Sequence, residues 1–234
     1  MIVLAALASL LFCGLATGVI LLILRGPHAI DTKNPAGAAL FLIPAQLAAY
    51  VLTVGFMAFY VGAKYHAPFL PAVRWNMPAG KSVWLALAGG SVLGIGSQLA
   101  GALLHRWIPK SLPIEEYFTT PASAYVLSAF GILVAPLVEE LFFRGFLYPA
   151  LARPMGQAAG IGLTAGLFAL LHGGQLAMAW APLLVLFAVG TVLTMVRART
   201  NSVATCVLIH TGYNFTLFTM LFFATDHFHH MEKM

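Results

Sequence analysis

Between Ala135 and Tyr148 the chain reads Ala-Pro-Leu-Val-Glu-Glu-Leu-Phe-Phe-Arg-Gly-Phe-Leu-Tyr, and this stretch limits what the rest can become. Glu139, Glu140 and Arg144 stand inside a run that is otherwise apolar. Only 8% of the 234 residues are charged and 61% are hydrophobic. A soluble domain carries about 25% charged residues. The solvent for this chain is therefore lipid, and the reading is an all-α, polytopic transmembrane helix bundle. A charge at membrane depth costs at least about 2.5 kcal/mol, so three such groups close together need both partners and a purpose.

A helix needs about 20 apolar residues to cross a bilayer. On that template the chain divides into about seven spans, or eight with one short or re-entrant segment. They are Ile2–Leu24, Ala36–Gly62, Val83–Leu104, Ser123–Leu151, Gln157–His172, Ala177–Val196 and Val203–Phe223. The first lacks a basic leader and exceeds the apolar core of about 7–15 residues found in signal peptides, so it reads as a retained span. The whole chain, residues 1–234, reads as a single membrane domain. The net charge of +5 sits mostly at span ends, where basic residues meet headgroups and set orientation. The bilayer is thus the partner, and nucleic acid is not. Lys and Arg divide almost evenly between the two sides, so orientation is left open. Cys13 and Cys206 lie inside apolar segments with no metal spacing, as small core residues do. A second acidic pair, Glu115 and Glu116, lies among prolines and reads as a solvated loop. The tail from Asp226, with His227, His229 and His230, reads as mobile and solvated.

In a helical fourth span, Glu140 and Arg144 are i, i+4 on one face, with the acid in the favourable N-terminal position. Glu139 is rotated about 100° from Glu140 and has no such partner in the helix. It is free to face a cavity, where a carboxylate serves as a general base. Two further spans bring polar groups to the same depth: His172 in Phe168-Ala-Leu-Leu-His172, and His210 with Asn214 in His210-Thr-Gly-Tyr-Asn214. Ionisable residues within the membrane are functional candidates by default. Three spans that each carry one predict a shared wet cavity.

The three motifs, Glu139-Glu140-x-x-x-Arg144, Phe168-x-x-x-His172 and His210-x-x-x-Asn214, resemble in order those of the CPBP intramembrane protease family. That family includes the type II CAAX prenyl endopeptidases and the Abi proteins. The resemblance covers residues 120–224 as a catalytic core, with residues 1–120 as variable N-terminal spans. It implies an intramembrane endopeptidase whose substrate is a peptide or membrane protein, in a bacterial or archaeal cell membrane. It implies that Glu139 and His172 activate water, that His210 and Asn214 stabilise the oxyanion, and that Glu140 and Arg144 hold the site together. No cofactor is preferred. A zinc alternative would use Glu139, His172 and His210, although the His-Glu-x-x-His spacing is absent. Two other classes compete: a non-catalytic membrane scaffold or bacteriocin-immunity protein, and a proton-coupled transporter.

Overall fold

A computed structural model describes residues 35–230 apart from Thr119, with side chains from Ile43 onward. Among the described residues there are helices and no strands. We number the α-helices α1 (Pro35–Tyr65), α2 (Phe69–Ala72), α3 (Lys81–Leu103), α4 (Pro121–Leu133), α5 (Ala135–Glu140), α6 (Tyr148–Met155), α7 (Gln157–Leu171), α8 (Trp180–Thr200) and α9 (Val203–Ala224). A π-helical segment, Leu141–Leu147, joins α5 to α6. Five stretches are long and apolar enough to cross a membrane: Ile43–Tyr65, α3, Pro121–Met155, α8 and α9. The first expected span, Ile2–Leu24, lies outside the described residues, so a count of seven to eight is not established. The expected fifth span, α7, has 15 residues. At 1.5 Å per residue it covers about 22 Å, short of the roughly 30 Å hydrocarbon core.

The 35-residue stretch Pro121–Met155 is the spine of the fold, and prolines shape it. It starts with a side-chain cap: Thr120 accepts from the Ser123 N–H, and Ser123 accepts from the Thr120 N–H. Proline lacks an N–H and its ring crowds the carbonyl four residues back. Pro136 therefore separates α4 from α5 at Val134. Pro149 follows the π segment, and the wider π turn relieves the same crowding. The π geometry would pair the Arg144 carbonyl with the N–H of residue 149, which proline does not have. Arg197 Nε, from α8, donates to that carbonyl at 3.0 Å instead.

Glycine sets the closest packing. Gly90 on α3 and Gly212 on α9 lie where two backbones meet. A Cβ at Gly90 would run into the Ile209 carbonyl, and one at Gly212 into that of Leu87. A Cβ at Gly94 would meet Thr216 Cβ at 3.1 Å. Small residues at such crossings are how membrane helices approach without a hydrophobic driving force. Gly162 and Gly166, spaced four apart on α7, face open space. The contact from α7 to α6 is made at Gly160, against Ala152.

The chain reverses at each end of the bundle, which gives two faces. One face holds residues 66–80, 156 and 201–202. It is tied together by the Val203 N–H donating to the Arg74 carbonyl at 3.0 Å and by Asn76 Nδ2 donating to the Asn201 carbonyl at 2.8 Å. The opposite face holds residues 104–120, 172–179 and 225–230. There the Ile114 N–H donates to the Gln175 carbonyl at 3.2 Å, and Trp107 packs on Trp180 at 5.5 Å. Asp226, His227, His229 and His230 are exposed, as the sequence reading expects, but the tail is docked at one residue. Phe228 is 2% exposed and docks against Tyr125 and Phe222, with ring centroids 5.1 and 5.3 Å away. One large ring in an aromatic pocket is enough to pin the chain beyond α9.

Candidate active site

Glu140 and Arg144 are both fully buried. Arg144 Nη1 donates to Glu140 Oε1 at 2.8 Å, as the i, i+4 spacing predicts. Every nitrogen of the guanidinium is used. Nη2 donates to the Gly190 carbonyl at 3.0 Å and Nε donates to Thr194 Oγ1 at 3.2 Å, both on α8. The Phe168 ring from α7 covers the guanidinium, with its centroid 4.8 Å from Cζ. One buried cation thus joins three helices. Buried ion pairs hold when hydrogen bonds satisfy what the pair leaves over; α8 supplies them for the guanidinium, while Glu140 Oε2 is buried with no hydrogen-bond partner among the described residues. Gly190 permits the approach, because a Cβ there would meet Phe168 and Ala165 at about 3.2 Å.

His210 on α9 completes the network. Its Nδ1 lies 2.9 Å from Glu140 Oε1, so one carboxylate oxygen receives both Arg144 and His210. A carboxylate only accepts, so Nδ1 carries the proton in this bond and Nε2 is turned toward the rest of the site. Nε2 lies 4.0 Å from Glu139 Oε2. The ring of His210 therefore stands between the two adjacent glutamates.

Glu139 is less enclosed, with its side chain 17% exposed. Its other oxygen accepts from the Tyr50 hydroxyl at 3.2 Å. Tyr50 lies on α1 and stacks on Phe130 of α4, with centroids 5.7 Å apart. Sequence reasoning did not single out Tyr50. The only signal was an aromatic hydroxyl within an apolar span, and six other tyrosines in the chain dilute it.

His172 caps the C-terminal end of α7. Its Nδ1 lies 2.8 Å from the Phe168 carbonyl. A carbonyl only accepts, so this bond fixes the proton on Nδ1 and leaves the Nε2 lone pair available. Phe168 lies between the two imidazoles, 4.7 Å from His172 and 6.0 Å from His210 by ring centroid. Asn214 is one turn beyond His210, and its Nδ2 donates to the Gly131 carbonyl at 2.6 Å. That bond occupies one amide hydrogen and leaves the second.

The structure thus links Glu139, Glu140, Arg144 and His210 directly, joins His172 to them through Phe168, and ties Asn214 to α4. Glu115 and Glu116 lie outside this set, in a short 3₁₀ helix at Pro113–Tyr117. His210 and Asn214 are seven and eleven residues past the start of α9, about 10 and 16 Å into the bundle from the first face. His172 stands at the opposite end of α7 from that face. His210 is therefore in the half of α9 nearer the first face and Asn214 is near its midpoint, so the set runs from mid-bundle to His172 at the second-face end of α7. The zinc alternative needs three donors around one point. Among the described residues, no group of three His, Cys, Asp or Glu side chains could hold a metal ion, and Glu139, His172 and His210 form no such group.

Residues 121–216 match the family model described as Type II CAAX prenyl endopeptidase Rce1-like. No curated protein and no solved structure matches the chain. The match spans α4 to the middle of α9, and so holds Glu139, Glu140, Arg144, His172, His210 and Asn214. Tyr50 falls outside it.

Proposed function

With residues 121–216 this chain belongs to the CPBP family of intramembrane proteases, in its Rce1-like, CAAX-type branch, and we propose that it hydrolyses a peptide bond near the membrane surface with a water activated by Glu139. The observation that carries this reading is the line Tyr50–Glu139–His210–Glu140–Arg144. It holds one carboxylate rigid and charged against an arginine. It leaves the neighbouring carboxylate partly exposed beside an imidazole nitrogen.

In this mechanism Glu139 takes the proton of the attacking water. The free Nε2 of His172 is the second acceptor. General-base assistance of this kind contributes about 10²–10⁴-fold. Attack on the carbonyl carbon places negative charge on its oxygen. The second amide hydrogen of Asn214, and His210 when Nε2 carries a proton, are the donors for that oxyanion. Glu140 and Arg144 touch no reacting atom. They fix the plane and depth of the His210 ring. Collapse of the tetrahedral intermediate expels the amine, which receives a proton from Glu139. The substrate is a peptide or a membrane protein with a segment at the bilayer surface. The protein works as an integral membrane protein, in keeping with its apolar helices.

The test is cleavage of a peptide library by purified protein in detergent, wild type against Glu139→Ala, with products identified by mass spectrometry. Wild-type products that disappear in the variant are expected. Equal cleavage by both would remove Glu139 from the mechanism. Cleavage by neither, with proton-driven uptake in vesicles that depends on Glu139, would replace the protease by a transporter. The same assay after exhaustive chelation, with zinc content measured, should retain activity. Loss on chelation and recovery with zinc would substitute a metal mechanism on the same fold.

A further inference from the structure

On the face opposite His172, a cavity of about 350 Å³ opens between α6, the end of α8 and the Ala72–Arg74 corner. Arg74, Arg153 and Arg197 line it, together with Tyr148 and Asn201. We infer that this cavity binds a phosphate group, carried by an anionic lipid headgroup or by free inorganic phosphate.

Three observations support this. The first is charge without a counter-charge. Among the described residues, no carboxylate pairs with any of the three arginines; the one arginine ion pair is that of Arg144 with Glu140. Among the described residues, this face carries Lys64, Arg74, Lys81, Arg153, Arg197 and Arg199, and no acidic residue. The other face carries Glu115, Glu116 and Asp226 beside Arg106 and Lys110. Three guanidiniums around one cavity repel one another unless an external anion joins them, and phosphate matches the guanidinium fork.

The second is the fixed position of Arg197. It is 5% exposed, donates from Nε to the Arg144 carbonyl at 3.0 Å and from Nη1 to Asn201 Oδ1 at 2.8 Å, and lies 6.0 Å from the Tyr148 ring centroid. Among the described residues, its Nη2 makes no hydrogen bond. A buried guanidinium with two nitrogens anchored, on a residue that lines the cavity, is preorganised for an anion.

The third is the backbone at Arg74. Its φ of 63° is a conformation that non-glycine residues seldom adopt. The Val203 N–H holds it there by donating to its carbonyl at 3.0 Å. Strain of this kind concentrates where a side chain must be aimed. The cavity lies at the ends of two apolar stretches, Pro121–Met155 and α8, and basic pockets between membrane helices at such ends recognise anionic lipids.

The test uses the full chain in neutral detergent at fixed ionic strength. Thermal unfolding and native mass spectrometry are recorded with phosphatidylglycerol, phosphatidylcholine or inorganic phosphate added. Three proteins are compared: wild type, Arg74→Gln with Arg153→Gln, and Lys64→Gln with Lys81→Gln. The last pair removes two exposed charges from the same face outside the cavity. Phosphatidylglycerol should bind wild type in preference to phosphatidylcholine and raise its unfolding temperature. The cavity variant should weaken this about tenfold or more, and the control variant less than about twofold. Phosphatidylglycerol acting alone identifies a lipid headgroup as the source. An equal shift from inorganic phosphate identifies the free ion. Should the double variant fail to fold, Arg153→Gln alone carries the comparison, with a loss of about threefold or more. The inference fails if neither probe exceeds phosphatidylcholine and a matched chloride control. It also fails if the control variant loses as much as the cavity variant.

Discussion

Glu139 and Glu140 are neighbours in sequence and occupy opposite kinds of place. Glu140 belongs to an inner knot with Arg144, Thr194, the Gly190 carbonyl and His210, from which solvent is excluded. Glu139 belongs to an outer rim with Tyr50 and the open side of His210. A helix turns about 100° per residue, so one step along the chain moves a carboxylate from one region to the other. Adjacent acids thus need not share a role. An ion pair needs enclosure and rigidity, while a general base needs access to water and to the substrate. The acidic pair achieves both because the knot orients the imidazole that the rim uses.

The sharpest way to break this comparison is Glu139→Gln. It keeps shape and the Tyr50 contact but removes the base. Turnover should fall by about 10³–10⁴, to or below detection, with the unfolding temperature near wild type. The change is read from single-turnover cleavage beside a thermal scan. If the variant unfolds early instead, Glu139 belongs to the knot and the division between the two regions collapses.

Arg144→Leu attacks the knot. It leaves Glu140 as a buried charge with only His210, and should cost about 3–5 kcal/mol of stability along with activity. Glu140→Gln combined with Arg144→Leu should regain part of the stability and not the full activity, because His210 is still without its charged anchor. Denaturation in mild detergent measures the first statement, and cleavage by the folded fraction measures the second. An Arg144→Leu protein as stable as wild type would remove the structural role.

The knot was legible in the sequence because its central pair is local. Spacing of i, i+4 on one helix needs no knowledge of the fold, and Arg144 bonds Glu140 as that spacing requires. The three motif helices were legible because charge in an apolar run is rare enough to stand out. What α8 contributes was not. Gly190 supplies a backbone carbonyl and Thr194 a hydroxyl, and neither residue type is unusual in a span. The π segment was missed for the same reason that its cause is visible afterwards: Pro149 lies beyond the motif, and its effect runs backward along the helix. Gly-x-x-x-Gly spacing did not separate the pair that packs, Gly90 and Gly94, from Gly162 and Gly166, which face open space. The pattern states what a helix permits, and only the neighbour decides whether it is used.

Asn214→Ala gives a smaller effect and sharpens the rim. Loss of one oxyanion donor lowers turnover by about 10²–10³ and leaves substrate binding nearly unchanged. The bond from Nδ2 to the Gly131 carbonyl is lost as well, at a typical cost of about 1 kcal/mol. A drop in kcat at constant KM supports the donor role. A rise in KM alone would make Asn214 a helix tie between α9 and α4.

Tyr50→Phe is the mildest change and asks how far the rim extends. Tyr50 comes from α1, outside residues 121–216, so it tests whether the N-terminal spans act on the site or merely enclose it. The substitution removes one hydroxyl and keeps the ring that stacks on Phe130. A hydrogen bond to a charged group contributes about 1.5–3 kcal/mol, and this one, at 3.2 Å to a partly exposed carboxylate, belongs at the low end. Without it Glu139 samples more orientations, and fewer of them face the water. Turnover should fall about tenfold, with KM and unfolding temperature close to wild type. Tyr50→Ala should lose stability in addition, because it also empties the space beside Phe130. If Tyr50→Phe cleaves at the wild-type rate while Tyr50→Ala does not, the ring matters and the hydroxyl does not. The rim then ends at Glu139, and α1 is a wall of the site with no part in orienting its base.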